Sequence, residues 1–181
     1  MQSIMTTENA SKPAIAVRLA QPSDTHDICD IYNQGIESGK ATFDTTPRNL
    51  TDIEPWFDRL DDYPVLVAVQ DNRVIGFARL FEYRPRACYR QNTELSIYLS
   101  NSAQGQGVGS ALATNLINLA DTLGYTKMLS RIFTFNHASL ALCKKFGFRE
   151  VGVYRRHGQI NDQWMDVVIV EKLLNQDETS Y

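Results

Sequence analysis

Thr93–Ser110 reads TELSIYLSNSAQGQGVGS. Its first seven residues, Thr93–Leu99, alternate and are rich in β formers, which predicts a strand. Gly105, Gly107 and Gly109 follow at every second position, and the apolar spacing after them predicts a helix from about Gly107 to Leu123, closed by Gly124 at C′. Glycines between a strand and a helix let the backbone approach a ligand and turn its N–H groups inward, while the helix N-terminus adds partial positive charge. That arrangement suits a phosphate or pyrophosphate, and a plain flexible turn would use the same residues. No Gly-Lys-Ser/Thr follows, so this is not a Walker loop. The G-x-G-x-x-G register is missed as well, and a preceding hairpin is foreign to a dinucleotide-binding unit.

Outward from this centre, Ala14–Leu19 predicts a short strand. Pro22-Ser23-Asp24 opens a helix in which Ile28, Ile31 and Tyr32 share a face up to Gly35. Ser38–Pro47 reads as loop, and Leu50, Ile53, Phe57 and Leu60 keep helical spacing, delayed or kinked at Pro55. Val65–Gln70 and Val74–Phe81 flank a tight turn at Asp71-Asn72-Arg73, a hairpin. After the glycine loop and its helix come a strand at Lys127–Phe133, a helix at Ser139–Phe146 stopped by Gly147, and strands at Phe148–Tyr154 and Gln163–Glu171. The order β-α-α-β-β-β-α-β-α-β-β describes a mixed α/β domain around one central sheet. Residues 14–173 are expected to form that single domain, with 1–13 and 174–181 as flexible tails.

Composition narrows the function. A chain of 181 residues with 43% hydrophobic residues fits one packed domain, neither disordered nor multi-domain. A net charge of −3 argues against nucleic-acid binding through bulk charge. The longest apolar run, Val65–Val69, is far short of a membrane span, and no secretory leader is expected at the N-terminus. Cys29, Cys88 and Cys143 form no C-x-x-C pair, and His26, His137 and His157 are scattered. Free thiols, a cytoplasmic setting and no metal site are therefore expected.

The pattern Gln104-x-x-Gly107-x-Gly109 after a strand, Asn136-x-x-Ser139 opening a helix and Phe146-Gly147-Phe148 closing it resembles the GNAT superfamily of acyl-CoA-dependent N-acetyltransferases. The resemblance covers Ile15 to Glu171 and implies a single mixed, largely antiparallel central sheet flanked by helices. Seven further strings resemble its phosphinothricin and methionine-sulfoximine acetyltransferase branch. They are Ile31-Tyr32-Asn33, Ala41-Thr42-Phe43, Trp56-Phe57, Tyr63-Pro64-Val65-Leu66-Val67-Ala68, Arg84-Pro85-Arg86, Glu94-x-Ser96-Ile97-Tyr98 and Trp164-x-Asp166-Val167-Val168.

What the resemblance implies can be placed residue by residue. Acetyl-CoA would be the co-substrate, with its pyrophosphate on Gln104, Gly105, Gln106, Gly107, Val108, Gly109 and Ser110. Its pantetheine arm would lie near Asn136 and Ser139. Backbone groups of Ile97, Tyr98 and Leu99 would pair with pantetheine and polarise the thioester carbonyl, a stabilisation worth ~3 kcal/mol per donor. Glu94 would be the base, or the head of a water relay, that frees the attacking amine. Arg84, Pro85 and Arg86 would contact an acidic, amino-acid-like acceptor, with Thr42, Phe43, Tyr89, Leu95 and Ser96 nearby; a guanidinium fork suits a carboxylate or phosphinate. Cys143 stands where the family often carries a tyrosine or histidine, and packing is its expected role. Trp164 and Asp166 are read as core and turn residues, or as a subunit contact or substrate mouth. A homodimer is implied, and Val167–Val170 is apolar on both faces. Acetylation of a peptide or protein amine, and a non-catalytic CoA-binding sensor, are the alternatives.

Overall fold

The computed structural model describes residues 14–174. Its elements are β1 Ala16–Leu19, α1 Thr25–Ser38, α2 Leu50–Ile53, β2 Val65–Gln70, β3 Arg73–Glu82, β4 Asn92–Leu99, α3 Val108–Thr122, β5 Lys127–Phe133, α4 His137–Lys145, β6 Arg149–Ile160 and β7 Gln163–Leu173. Seven strands form one sheet in the order β1-β2-β3-β4-β5-β7-β6. Only β4 and β5 run parallel; every other neighbouring pair is antiparallel. The expected tails 1–13 and 175–181 lie outside the described residues. Leu174, expected to begin a tail, is instead buried and donates its N–H to Thr126 O at 2.9 Å.

Helices cover both faces of the sheet, which explains why β2 is apolar at every position from Val65 to Val69. Strand side chains alternate between faces. Leu66 and Ala68 therefore join Leu112 and Leu116 of α3, while Val65 and Val67 join Ile28 and Ile31 of α1, Ile53 of α2 and Phe77. Each fully buried Leu or Ile contributes roughly 1.5–3 kcal/mol relative to exposure. The same logic uses up the two apolar faces of β7. Val168 and Val170 enter the α3 side, and Val167 and Ile169 pack with Phe133 on the other.

Three local features differ from the expectation. The second helix is a single α turn followed by a 3-10 segment, Glu54–Arg59, because Pro55 has no N–H to continue an α ladder. Ala87–Tyr89 form a short 3-10 turn after Arg84–Arg86. Strand β6 continues six residues beyond Tyr154, through a bulge between Tyr154 and Gly158 that the polar run Arg155-Arg156-His157 conceals. Arg156 sits there at φ 49°, and its N–H donates to Asp166 Oδ1 at 2.7 Å.

Candidate active site

A wedge in the sheet makes the site. Strand β4 pairs with β3 from Thr93 to Leu99 but with β5 only over Asn92, Thr93 and Glu94. Beyond Glu94 and Leu129 the parallel strands part, which takes Leu95–Leu99 out of the β5 ladder. One freed acceptor, Leu95 O, takes a hydrogen bond from Ser130 Oγ at 3.2 Å. A cleft of about 300 Å³ opens in the wedge, lined by residues 94–98 of β4, 130–133 of β5, 40–43, Phe81, His157 and the α4 side chains Asn136, Ser139, Leu142 and Cys143. Because strand residues alternate, the cleft reaches both sides of the sheet. Glu94 and Arg131 share a face with Tyr98 and Phe133, whereas Leu95 and Ile97 share the opposite face with α3 and α4.

The charge on the first face is concentrated in one pair. Glu94 is only 4% exposed. Arg131 grips its carboxylate through Nε to Oε2 at 3.1 Å and Nη2 to Oε1 and Oε2 at 2.9 and 2.7 Å. The Arg131 side chain is itself about half exposed. A buried carboxylate is tolerated only when paired and hydrogen-bonded, and the fork does both. On β3, Arg79 lies opposite Ser96 with its guanidinium 3.8 Å from the Trp56 ring centre. Burial lowers its pKa to about 10, so it stays charged at neutral pH, and its Nε has no hydrogen-bond partner.

Residues 40–44 form the near wall, pinned from several elements at once. The Tyr32 hydroxyl donates to Asp44 Oδ2 at 2.8 Å, and Arg48 donates to the same oxygen through Nε and Nη2. The Tyr98 hydroxyl donates to Ala41 O at 3.4 Å. Burial holds both phenols above their ordinary pKa, so they remain neutral donors. Asn136 reaches across from α4: its Nδ2 donates to Lys40 O at 3.0 Å while its Oδ1 accepts Ser139 N–H at 3.1 Å, the N-cap of α4. Phe43 meets Phe133 edge to face at 4.8 Å, and a Cβ on Gly158 would stand 2.6 Å from the Phe43 ring.

The glycine loop lies on the opposite side. Gly105 and Gly107 adopt φ 72° and 87°, a left-handed conformation that disfavours side chains, and a Cβ on either would meet nothing within 4 Å. The α3 N-terminus that follows has no side-chain cap, so its first N–H groups have no side-chain acceptor. Lys145 Nζ donates to Ser110 Oγ at 2.9 Å, bringing a cation to the same place. Gly109 packs against Leu142 and Leu99, which ties this end of α3 to the cleft wall. The chemistry fits a pyrophosphate: a glycine backbone with no Cβ in the way, a positive helix end and an ammonium group.

Of the residues singled out in the sequence, Thr42, Phe43, Glu94, Leu95, Ser96, Ile97, Tyr98, Asn136 and Ser139 line the cleft. Leu99 and Gln104–Ser110 do not line it, though Gly109 packs against its lining residue Leu142. Arg84, Pro85 and Arg86 are exposed on the β3–β4 connection and Tyr89 is half-buried there; none lines the cleft. Arg84 lies 5.4 Å from the Tyr83 ring centre, and Tyr83 meets Tyr89 edge to face. Cys143 borders the cleft, its thiol pushed up to about 11 by burial, so it is a neutral packing group at physiological pH. Trp164 is exposed, and Asp166 ties down the β6 bulge. Lys40, Arg131, Phe133 and His157 belong to the lining without having been singled out. The one sequence signal for Arg131 is a charge inside an otherwise strand-like run. Among the described residues, no group of three or more His, Cys, Asp or Glu could hold a metal ion, and no helix is long and apolar enough to cross a membrane.

Residues 26–148 match the acetyltransferase (GNAT) family. The chain is 32% identical over 170 residues to phosphinothricin N-acetyltransferase of Alcaligenes faecalis, covering 92% of this chain and 86% of that one. It is 32% identical over 167 residues to L-methionine sulfoximine/L-methionine sulfone acetyltransferase of Pseudomonas paraeruginosa, covering 91% and 96%. The crystal structure of a GNAT superfamily phosphinothricin acetyltransferase from Sinorhizobium meliloti in complex with AcCoA superposes with a TM-score of 0.85 at 30% identity, over 92% of each chain. With the splayed sheet and the glycine loop in place, these likenesses make the chain a member of the GNAT acetyltransferase family, related to the phosphinothricin acetyltransferases, and an acyltransferase.

Proposed function

We propose that the protein transfers the acetyl group of acetyl-CoA to the α-amine of a small amino-acid-like acceptor, of the phosphinothricin, methionine sulfoximine or methionine sulfone type. The observation that carries this reading is the wedge itself. On one side its lining residue Leu142 packs against Gly109 of the glycine loop, and on the other it holds a buried carboxylate, Glu94. Acetyl-CoA, when bound, supplies the activated acyl group. Gly105, Gly107, the first turn of α3 and Lys145 would hold its pyrophosphate, with Ser110 and Gln104 alongside. The unpaired edge of Ile97–Leu99 would receive the pantetheine arm and direct N–H dipoles at the thioester carbonyl.

The acceptor enters as an ammonium and must lose a proton before its nitrogen can form the amide bond. Glu94 takes that proton, directly or through one water. As the carbon–nitrogen bond forms and the carbon–sulfur bond breaks, the nitrogen releases its second proton to solvent and the departing CoA thiolate takes one up from it; Cys143 is not needed. Arg84, Pro85, Arg86 and Tyr89 form the outer approach to the cleft in this reading. The protein acts as a homodimer in the cytoplasm, with the exposed apolar side chains Val151, Val153, Tyr154 and Trp164 as a surface for a second copy.

A thiol-release assay with acetyl-CoA tests this against methionine sulfoximine, methionine sulfone, phosphinothricin, a polyamine and a basic peptide. CoA release is expected with the amino-acid analogues. Glu94→Gln should lower kcat by roughly 10²–10⁴-fold with little change in acetyl-CoA affinity. Release with peptide or polyamine alone would overturn the acceptor class; tight acetyl-CoA binding without any turnover would point to a sensor.

A further inference from the structure

The Glu94–Arg131 pair has more donor capacity than Glu94 uses. Guanidinium is planar with five N–H donors in fixed directions. Arg131 spends Nε and Nη2 on Glu94, while Nη1 donates to no group among the described residues. The side chain is about half exposed, and Arg131 lines the cleft beside Glu94. The cleft lining therefore contains two cations, Lys40 and Arg131, against one carboxylate, Glu94. A fixed carboxylate with a guanidinium in contact is the electrostatic complement of a free α-amino acid, whose ammonium and carboxylate are separated by a single carbon.

We propose that Arg131 binds the α-carboxylate of the acceptor through its free Nη1 edge, thereby setting the acceptor's amino group against Glu94. This deepens the function proposed above and rests on it. Its consequence is specificity: a free carboxylate on the amine-bearing carbon becomes a requirement, which excludes peptide N-termini, lysine side chains and polyamines. One guanidinium then does two things. It keeps Glu94 oriented, and it selects zwitterions.

The test compares methionine sulfone with its carboxamide in the wild type, Arg131→Met and Arg131→Lys, reading kcat/KM for each acceptor. A charge-assisted hydrogen bond to carboxylate corresponds to about 10- to 100-fold, so the wild type should prefer the acid by that factor. Arg131→Met should bring the acid-to-amide ratio close to one, and Arg131→Lys should leave it in between. The ratio isolates the carboxylate contact, because loss of Glu94 orientation slows both acceptors alike. A ratio in Arg131→Met equal to that of the wild type overturns the proposal, as does a wild type indifferent to amidation. If Arg131→Met does not fold, Arg131→Lys must still shrink the ratio, and an unchanged ratio there refutes it. Failure of the wild type to acetylate any free amino acid would instead remove the proposed function beneath it.

Discussion

Asn136 links the cap of α4 to the wall of the cleft, and two substitutions can separate those tasks. Its Oδ1 accepts the Ser139 N–H, and its Nδ2 donates to Lys40 O. Asn136→Ala removes both. Loss of an N-cap costs about 1 kcal/mol, and loss of an exposed hydrogen bond costs about 0.5–1.5 kcal/mol. The sum is roughly 2 kcal/mol, or a fall in Tm of about 4–8 °C for a chain of this size. Asn136→Asp keeps the acceptor that caps α4 and adds a negative charge at a helix N-terminus, worth about 0.3–1 kcal/mol. It presents an oxygen where Lys40 O needs a donor, so the tether breaks while the cap survives. Its Tm should therefore stay within about 4 °C of the wild type. Both variants free residues 40–44, and both should raise the acceptor KM by about 2- to 12-fold. Differential scanning fluorimetry and steady-state kinetics read the two effects. An Asp variant that melts as low as the Ala variant, or an acceptor KM unmoved in both, would refute this division of labour.

Gly158→Ala places a Cβ against the Phe43 ring; overpacking of this kind costs about 1–3 kcal/mol, so a lower Tm and a raised acceptor KM should appear together, and an unchanged melt would show that Phe43 yields freely. Burial raises the pKa of Cys29 and of Cys143, the latter to about 11, whereas Cys88 is exposed; limited iodoacetamide treatment at pH 8 should give one adduct by mass spectrometry, at Cys88, and a fast adduct at Cys143 would contradict its burial. Hydrogen bonds from Arg18 hold the Asp24 carboxyl below its ordinary pKa, against a smaller opposing effect of burial. A depressed folded-state pKa contributes stability that is full above the unfolded value, near 4, and is lost as pH falls through the folded one. The Tm gap between wild type and Asp24→Asn should thus be widest above pH 5 and narrow below pH 4 in a melting series, and a gap independent of pH would remove the linkage.

Element order was legible along the chain because hydrophobic period and turn chemistry are local. Val65–Gln70 and Lys127–Phe133 could be read to the residue, and the glycines that close α3 and α4 mark their ends. The glycine loop was legible for the same reason: left-handed backbone at Gly105 and Gly107 is a demand that only a few residue types meet. Polar runs hid what depended on partners. Strand β6 past Tyr154 exists because Asp166, ten residues later, accepts the Arg156 N–H across the bulge. The wedge between β4 and β5 is a property of strand pairing, which no single strand's pattern encodes.

The sequence by itself determined the α/β order, the glycine loop and the place of Glu94 at the head of the strand leading into it, since these follow from neighbours in the chain. Tertiary structure alone decided the working contents of the cleft. It set Arg131 on Glu94 across 37 positions, brought Phe43 to Phe133 and Gly158, tied Lys40 to Asn136, and left Arg84–Arg86 outside the lining. The physical reason is range. Backbone propensities act over a few residues, whereas an ion pair, a ring contact or a strand splay is set by which distant segments the packed core holds together.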